Sequence, residues 1–151
     1  MAITQAMCTS FKTELLTGTH NFTNSSGNSF KLALYAIGGG GKSSTTATLR
    51  AATTAFTTTG EVANSGSYAS GGSALTNVTP SASVTTAITD FADLSFTTAT
   101  ITARGALIYN NSKSNASIAV LDFGSDFTST AGTFTVQLPS AAHNTAIIRI
   151  S

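Results

Sequence analysis

Charge is the scarcest commodity in this sequence. Only 9% of its 151 residues are charged, against about 25% in an average globular domain. Seven basic and six acidic residues leave a net charge of +1, with no basic run. The long-range field on which nucleic-acid binding depends is therefore missing, and no nucleic-acid partner is expected. Cysteine occurs once, at Cys8, so no intrachain disulfide can form, and folding inside a cell is expected. As a lone thiol, Cys8 reads as a small buried hydrophobe. No apolar run approaches the roughly 20 residues that a membrane span requires. The opening residues, MAITQAMCTSF, show neither a basic n-region nor an apolar h-region, so no signal peptide is expected there. A soluble chain without a membrane partner is the expectation.

Hydrophobic residues make up 41% of the chain, enough for a core. Thr and Ser together fill about a third of it, far above average usage. The surface is then covered by hydroxyls, amides and glycine. Weak mutual repulsion follows, which suits packing against copies of the same chain or against a partner.

One segment reads as a helix, SFKTELLTG, Ser10 to Gly18. Ser10 is placed to cap it, Phe11 and Leu15 lie at i, i+4, and Gly18 is placed to end it. So short a helix is unstable alone and must dock. Phe11, Leu15 and Leu16 are its expected anchoring residues, whether on the chain's own sheets, on a neighbouring subunit or on another partner. The rest reads as strands: Phe30 to Ala36, Ser73 to Thr79, Ser83 to Phe91, Ala92 to Phe96, Ala99 to Asn110, Ser117 to Phe123, Thr133 to Leu138 and Thr145 to Ile150. Turn signals lie between them at Gly60, Asn64 to Gly66, Gly71-Gly72, Asn110-Asn111, Gly124-Ser125 and Gly132. Short strands at short spacing indicate an all-β sandwich or barrel.

Two stretches imitate enzyme motifs. In YAIGGGGKSST, residues Ala36, Gly41, Lys42 and Ser43 fit a loose phosphate-binding loop. That loop works by opening a helix whose free N–H groups hold the anion. The sequel here, SSTTATLRAATTAFTTTG, is crowded with β-branched Thr and lacks a 3.6 period. Lys42 is therefore expected to bind no nucleotide. Asp122-Phe123-Gly124 matches a kinase triplet, but the other kinase motifs are missing, so it reads as a strand followed by a glycine turn. His20 and His143 have no second ligand at metal spacing. Asp90 and Asp93 read as solvated strand-end acids. Sequons at Asn21, Asn24, Asn77, Asn110 and Asn115 are what chance gives in so Asn-, Ser- and Thr-rich a chain. No catalytic, cofactor-binding or metal residues are assigned, and the chain is read as non-enzymatic.

The segments FKTELLTGTHNF, FKLALYA, TTTGEVANSGSYASGGSAL, DFADLSFTTATITARGALIYN and AVLDFGSDFTSTAGTFTVQLP together resemble a family of small virion structural proteins of tailed bacteriophages, common in phages of cyanobacteria and other aquatic hosts. ELLTGTHNF and ATITARGALIYN carry most of the resemblance. The Gly38 to Gly41 run and Phe96, where the family often has Trp, depart from it. The resemblance implies a cement or decoration protein on the outer head surface, made in the host cytoplasm and bound to the major capsid protein as a homotrimer. The expected fold is a single domain over residues 1–151. It is an all-β, antiparallel β-sandwich, jelly-roll-like, with one short N-terminal helix at about 10–18. The alternative is a tail or fibre-associated protein that binds a host receptor or surface glycan. A virion enzyme acting on glycan would need a cleft lined by Asp90, Asp93 or Asp122.

Overall fold

The computed structural model describes residues 3–38 and 46–151. The chain forms a mostly antiparallel β fold with one short helix. Its elements run β1 (Ala6–Met7), α1 (Thr9–Leu16), β2 (Phe30–Tyr35), β3 (Ser73–Ala74), β4 (Asn77–Ser83), β5 (Thr86–Phe91), β6 (Leu94–Asn110), β7 (Ala116–Val136) and β8 (Ile148–Ile150). Two sheets result, one in the order β1-β7-β6-β2-β3 and one in the order β4-β5-β8.

The centre is a long hairpin of β6 and β7, paired from Asn110↔Ala116 at the turn to Leu94↔Val136 at the far end. The expected turn at Asn110-Asn111 is there, closed by Ser114 and Asn115 in left-handed conformations. The expected breaks at Gly124-Ser125 and Gly132 are not. Both glycines lie inside β7, so the two strands expected on either side of them are one. The pairing instead shifts, from Gly105↔Asp122 to Ala103↔Phe127. A residue with positive φ, here Gly124 at 81°, serves a β-bulge as readily as a turn. Likewise Ala92 to Phe96 and Ala99 to Asn110 fuse into β6. Conversely, the strand expected over Ser73 to Thr79 divides. Leu75 donates its N–H to Phe30 in the larger sheet, and Thr76 accepts the N–H of Ala92 beside the smaller one. The chain changes sheets between those two residues.

Four phenylalanines join the layers. Phe22 stacks on Phe30 of β2 at 4.4 Å, Phe30 meets Phe91 of β5 at 5.5 Å, and Phe11 of α1 meets Phe22 edge-on at 5.9 Å. All four are buried, and each such ring stabilises the fold by roughly 1.5–3 kcal/mol. The two sheets therefore share one apolar core, which contains both Leu107 of the larger and Ile148 of the smaller. Gly105 marks a close approach within it: a Cβ there would collide with the Leu121 carbonyl oxygen and the Ile3 side chain.

The helix starts earlier than expected. Cys8, not Ser10, is the N-cap, and no side chain caps it. Backbone carbonyls take up two of the free N–H groups at this end instead: Ile118 accepts from Cys8 and Ala51 from Thr9. Ser10 lies in the first turn with its hydroxyl buried and unbonded. Gly18 ends the helix as expected, at φ 68°. Gly18 N–H bonds Leu15 and Thr19 N–H bonds Glu14, the paired closure that a left-handed residue permits.

Candidate interaction surface

The expected anchors separate. Phe11 is fully buried in the chain's own core, Leu15 is half-buried, and Leu16 is 90% exposed. Helical geometry explains the split: Phe11 and Leu15 share a face at i, i+4, while Leu16 lies one step of 100° further round.

The polar expectations also move. Asp90 is not a solvated acid. It is 1% exposed and accepts N–H bonds from Phe91 and Ile147. It thereby ties the C-terminal segment to β5, and burial pushes its carboxyl up. Asp93 is exposed and accepts the Leu138 N–H. Asp122 pairs with the Arg104 guanidinium at 3.1 Å. The Gly124 N–H at 2.9 Å, followed by Arg104, holds its carboxyl below the usual carboxylate range. Cys8 is a buried free thiol whose pKa burial raises. His143 is exposed. His20 is enclosed between Asn110, which donates to Nδ1 at 2.8 Å, and Glu14, 2.6 Å from Nε2. The Asn110 amide cannot turn, because its oxygen accepts the Ser112 N–H. The ring therefore accepts at Nδ1 and donates from Nε2, pinning the helix to the end of β6. The sequon residues Asn77 and Asn110 are buried, their amides bonded inside the fold. Lys42, Ser43 and the glycines from Gly39 to Gly41 lie outside the described residues.

One buried acid escapes sequence reasoning altogether. Glu61 is 6% exposed and accepts from the Tyr68 hydroxyl at 2.9 Å, the Ser70 hydroxyl at 2.8 Å and the Gly71 N–H. Tyr68 also accepts the Leu34 N–H of β2, and Tyr109 of β6 bonds the Gly71 carbonyl. Burial, then the Glu61 charge, raises the Tyr35 and Tyr68 phenols and pushes Tyr109 up to about 12. The carboxylate thus fixes the loop from Glu61 to Gly72 against two strands. Only its position between strand-free Thr and Gly stretches could have flagged it.

That loop matters for the sheet edges. An unpaired edge invites another strand, and proteins blunt edges by shortness, proline, charge or cover. β1 and β3 have two residues each. β4 carries Pro80 and a register shift between Val78 and Ser81. The outer edge of β6 is covered by the loop, since Ser67 bonds Thr97 twice and Ser65 receives the Thr100 N–H. β8 is three residues long and holds Arg149. β7 carries Asp122, Asp126 and the register shift already described, but it is long. β1 pairs with it only at Ala119 and Val120. From Asp122 to Val136 its outer edge has no strand partner among the described residues, and it contains no proline.

Apolar exposure concentrates in two places. On β7, Phe127 is 52% exposed and meets Phe123 edge-on at 6.2 Å. Together with Ser129, Thr133, Thr135 and Gln137 they line a cleft of about 410 Å³. A groove of about 480 Å³ lies between α1 and the smaller sheet, lined by Leu15, Phe22, Pro80, Ile88, Ile148 and Ile150 among others. Leu16 follows Leu15 directly, and Val84, 83% exposed, sits on the hairpin between β4 and β5. None of Asp90, Asp93 and Asp122 lines either cavity. No helix among the described residues is long and apolar enough to cross a membrane. Compared with known proteins, the chain matches no family model, no curated protein and no solved structure.

Proposed function

We propose that the chain is a non-enzymatic structural protein of a tailed-bacteriophage virion. In this reading it is a capsid decoration protein that binds the major capsid protein on the outer head surface and acts as a homotrimer. The observation that carries the proposal is the long open edge of β7 with Phe127 upon it, in a chain that is only 9% charged. Such an edge is a hazard for a solitary protein and an asset for one that works by contact. The two sheets are read as a jelly-roll-like sandwich, a rigid body suited to bridging neighbouring capsomers. Many small contacts made at once add up to firm attachment. The experiment is to purify virions, count the copies of this chain per head, and rebind the recombinant protein to heads stripped of it. Many copies per head and saturable rebinding are expected. A handful of copies confined to tails would overturn the decoration role.

The cleft of β7 favours one second reading, a tail or fibre-associated receptor protein. Its lining combines aromatic rings, hydroxyls and one amide without a charge, which suits an uncharged sugar. Tail location together with retention on host surface glycan, lost in Phe127→Ala, is the outcome this reading requires.

A further inference from the structure

We infer that β8 is exchanged between copies of the chain: β8 of one copy seats on β5 of the next, and the stretch from Pro139 to Ala146 is the hinge. This exchange rests on the homotrimer of the decoration reading and gives that trimer the element that joins its subunits.

The seat on β5 is matched to β8 in register and in shape. The two strands pair through Ala87↔Ile150, Ile88↔Arg149 and Thr89↔Ile148. Ile148 is buried in the core that both sheets share, and Ile88 and Thr89 are buried with it. A second copy's β8 fits this seat bond for bond. Which copy supplies the strand depends on the connection from β7, and that connection leaves and returns at one place. Asp93 accepts the N–H of Leu138, and Asp90 accepts that of Ile147. The two acids are three residues apart in sequence, so their backbones are separated by no more than about 11 Å. The stretch between the two attachments, Pro139 to Ala146, would reach about 26–29 Å if extended. It is instead folded back on itself.

Little holds the fold-back. Among the described residues its hydrogen bonds are local: Ala142 N–H to Ser140, Thr145 and Ala146 N–H to Ala142, and the Thr145 hydroxyl to Ser140. The bond from Arg149 to the Asn144 carbonyl travels with β8. Most of the stretch is exposed, so water replaces the local bonds at little cost when it opens. Pro139, with its φ fixed, suits the extended form. On opening, Asp93–Leu138 stays within a copy, while Asp90–Ile147 becomes a bond between copies. Every contact of β8 with its seat is kept, which is why such exchange is a low-cost route to assembly. A chain only 9% charged adds little repulsion between the copies. Each copy gives one strand and receives one, so three copies close a ring.

The test asks which chain supplies the strand. Cys8→Ala removes the native thiol. Ala87→Cys and Ile150→Cys then place a pair at two exposed positions that are partners across β5 and β8. A tethered strand competes for its seat at an effective concentration of about 1 mM, so the full chain is refolded at concentrations up to that value and oxidised. In the oligomeric fraction the disulfide should join different chains, giving multiples of 15.2 kDa under denaturing, non-reducing conditions. A second measurement needs no substitution: isotopically labelled and unlabelled wild-type chains are refolded together, and NMR contacts between Ala87 and Ile150 should cross from one to the other. It decides the matter if the cysteine variant fails to fold. Oligomers whose disulfide lies within each chain, with no crossing contact, would overturn the exchange and leave the homotrimer standing on another contact. A wild-type chain that stays monomeric up to about 1 mM would overturn the exchange as well. The virion copy count decides the decoration reading separately.

Discussion

Removing the Glu61 carboxylate should loosen one side of the molecule more than any other single polar change. In Glu61→Ala three donors lose their acceptor: the hydroxyls of Tyr68 and Ser70 and the N–H of Gly71. Hydrogen bonds to a charged group contribute about 1.5–3 kcal/mol each. The substitution also relieves the cost of burying the carboxylate itself, so the net loss should be about 3–5 kcal/mol. For a chain of this size each kcal/mol moves the midpoint by about 2–4 °C, which places the fall between about 6 and 20 °C. Glu61→Gln should cost only about 1–2 kcal/mol. Its remaining oxygen still faces Tyr68 and Gly71, and the Ser70 hydroxyl can reverse to accept from the new amide. The assay is thermal unfolding by circular dichroism at one fixed protein concentration, since assembly raises apparent stability. Light scattering below the midpoint adds a second readout, because a freed loop uncovers the edge of β6. Glu61→Ala melting within about 2 °C of wild type, or Gln proving as harmful as Ala, would refute the reasoning.

Two further outcomes concern the helix and the Arg104–Asp122 pair. Phe11→Ala should destabilise the chain by about 3–5 kcal/mol in denaturant titration, while Leu16→Ala should stay within about 0.5 kcal/mol; equal effects would mean that the helix is rotated from the position described. The folded-state pKa of Asp122 is lowered from 3.8, so its contribution is fully present above that unfolded value and disappears as pH falls through the folded one. Asp122→Asn should therefore flatten the acid limb of the stability curve below about pH 4, and an unchanged limb would rule out the pair as its source.

The sequence disclosed those features that depend on local chemistry. Gly18 ended the helix because only a left-handed residue closes its last carbonyls that way, and Asn110-Asn111 marked the tip of the hairpin. Gly124 and Gly132 misled because a bulge and a turn ask the same thing of a residue, a positive φ or the absence of a side chain. What distinguishes them is the partner strand, which lies earlier in the chain in β6. Asp90 and Glu61 were illegible for a related reason. An acid is read as solvated unless its donors are known, and those of Asp90 include Ile147, 57 residues further along the chain. The exposure of Leu16 was legible too, since counting 100° per residue from Phe11 turns it away from the chain's own core. The β7 edge could not have been seen at all, because an edge is defined by the strand that fails to arrive.

The central hairpin also dictates the order in which the chain can fold. β6 and β7 are neighbours in sequence and can zip from the Asn111 turn by local contacts alone. β1 finds its partner only in β7 and β2 chiefly in β6, so both must wait for strands made much later. During synthesis from the N-terminus, Phe11, Phe22 and Phe30 emerge first, and Phe30 lacks the β6 strand that pairs with it until Asn110 has left the ribosome. The first third of the chain is thus folded upon the last third. A ribosome stalled before β7 should hold an unstructured, aggregation-prone nascent chain, and one released just beyond Val136 should hold nearly the whole core.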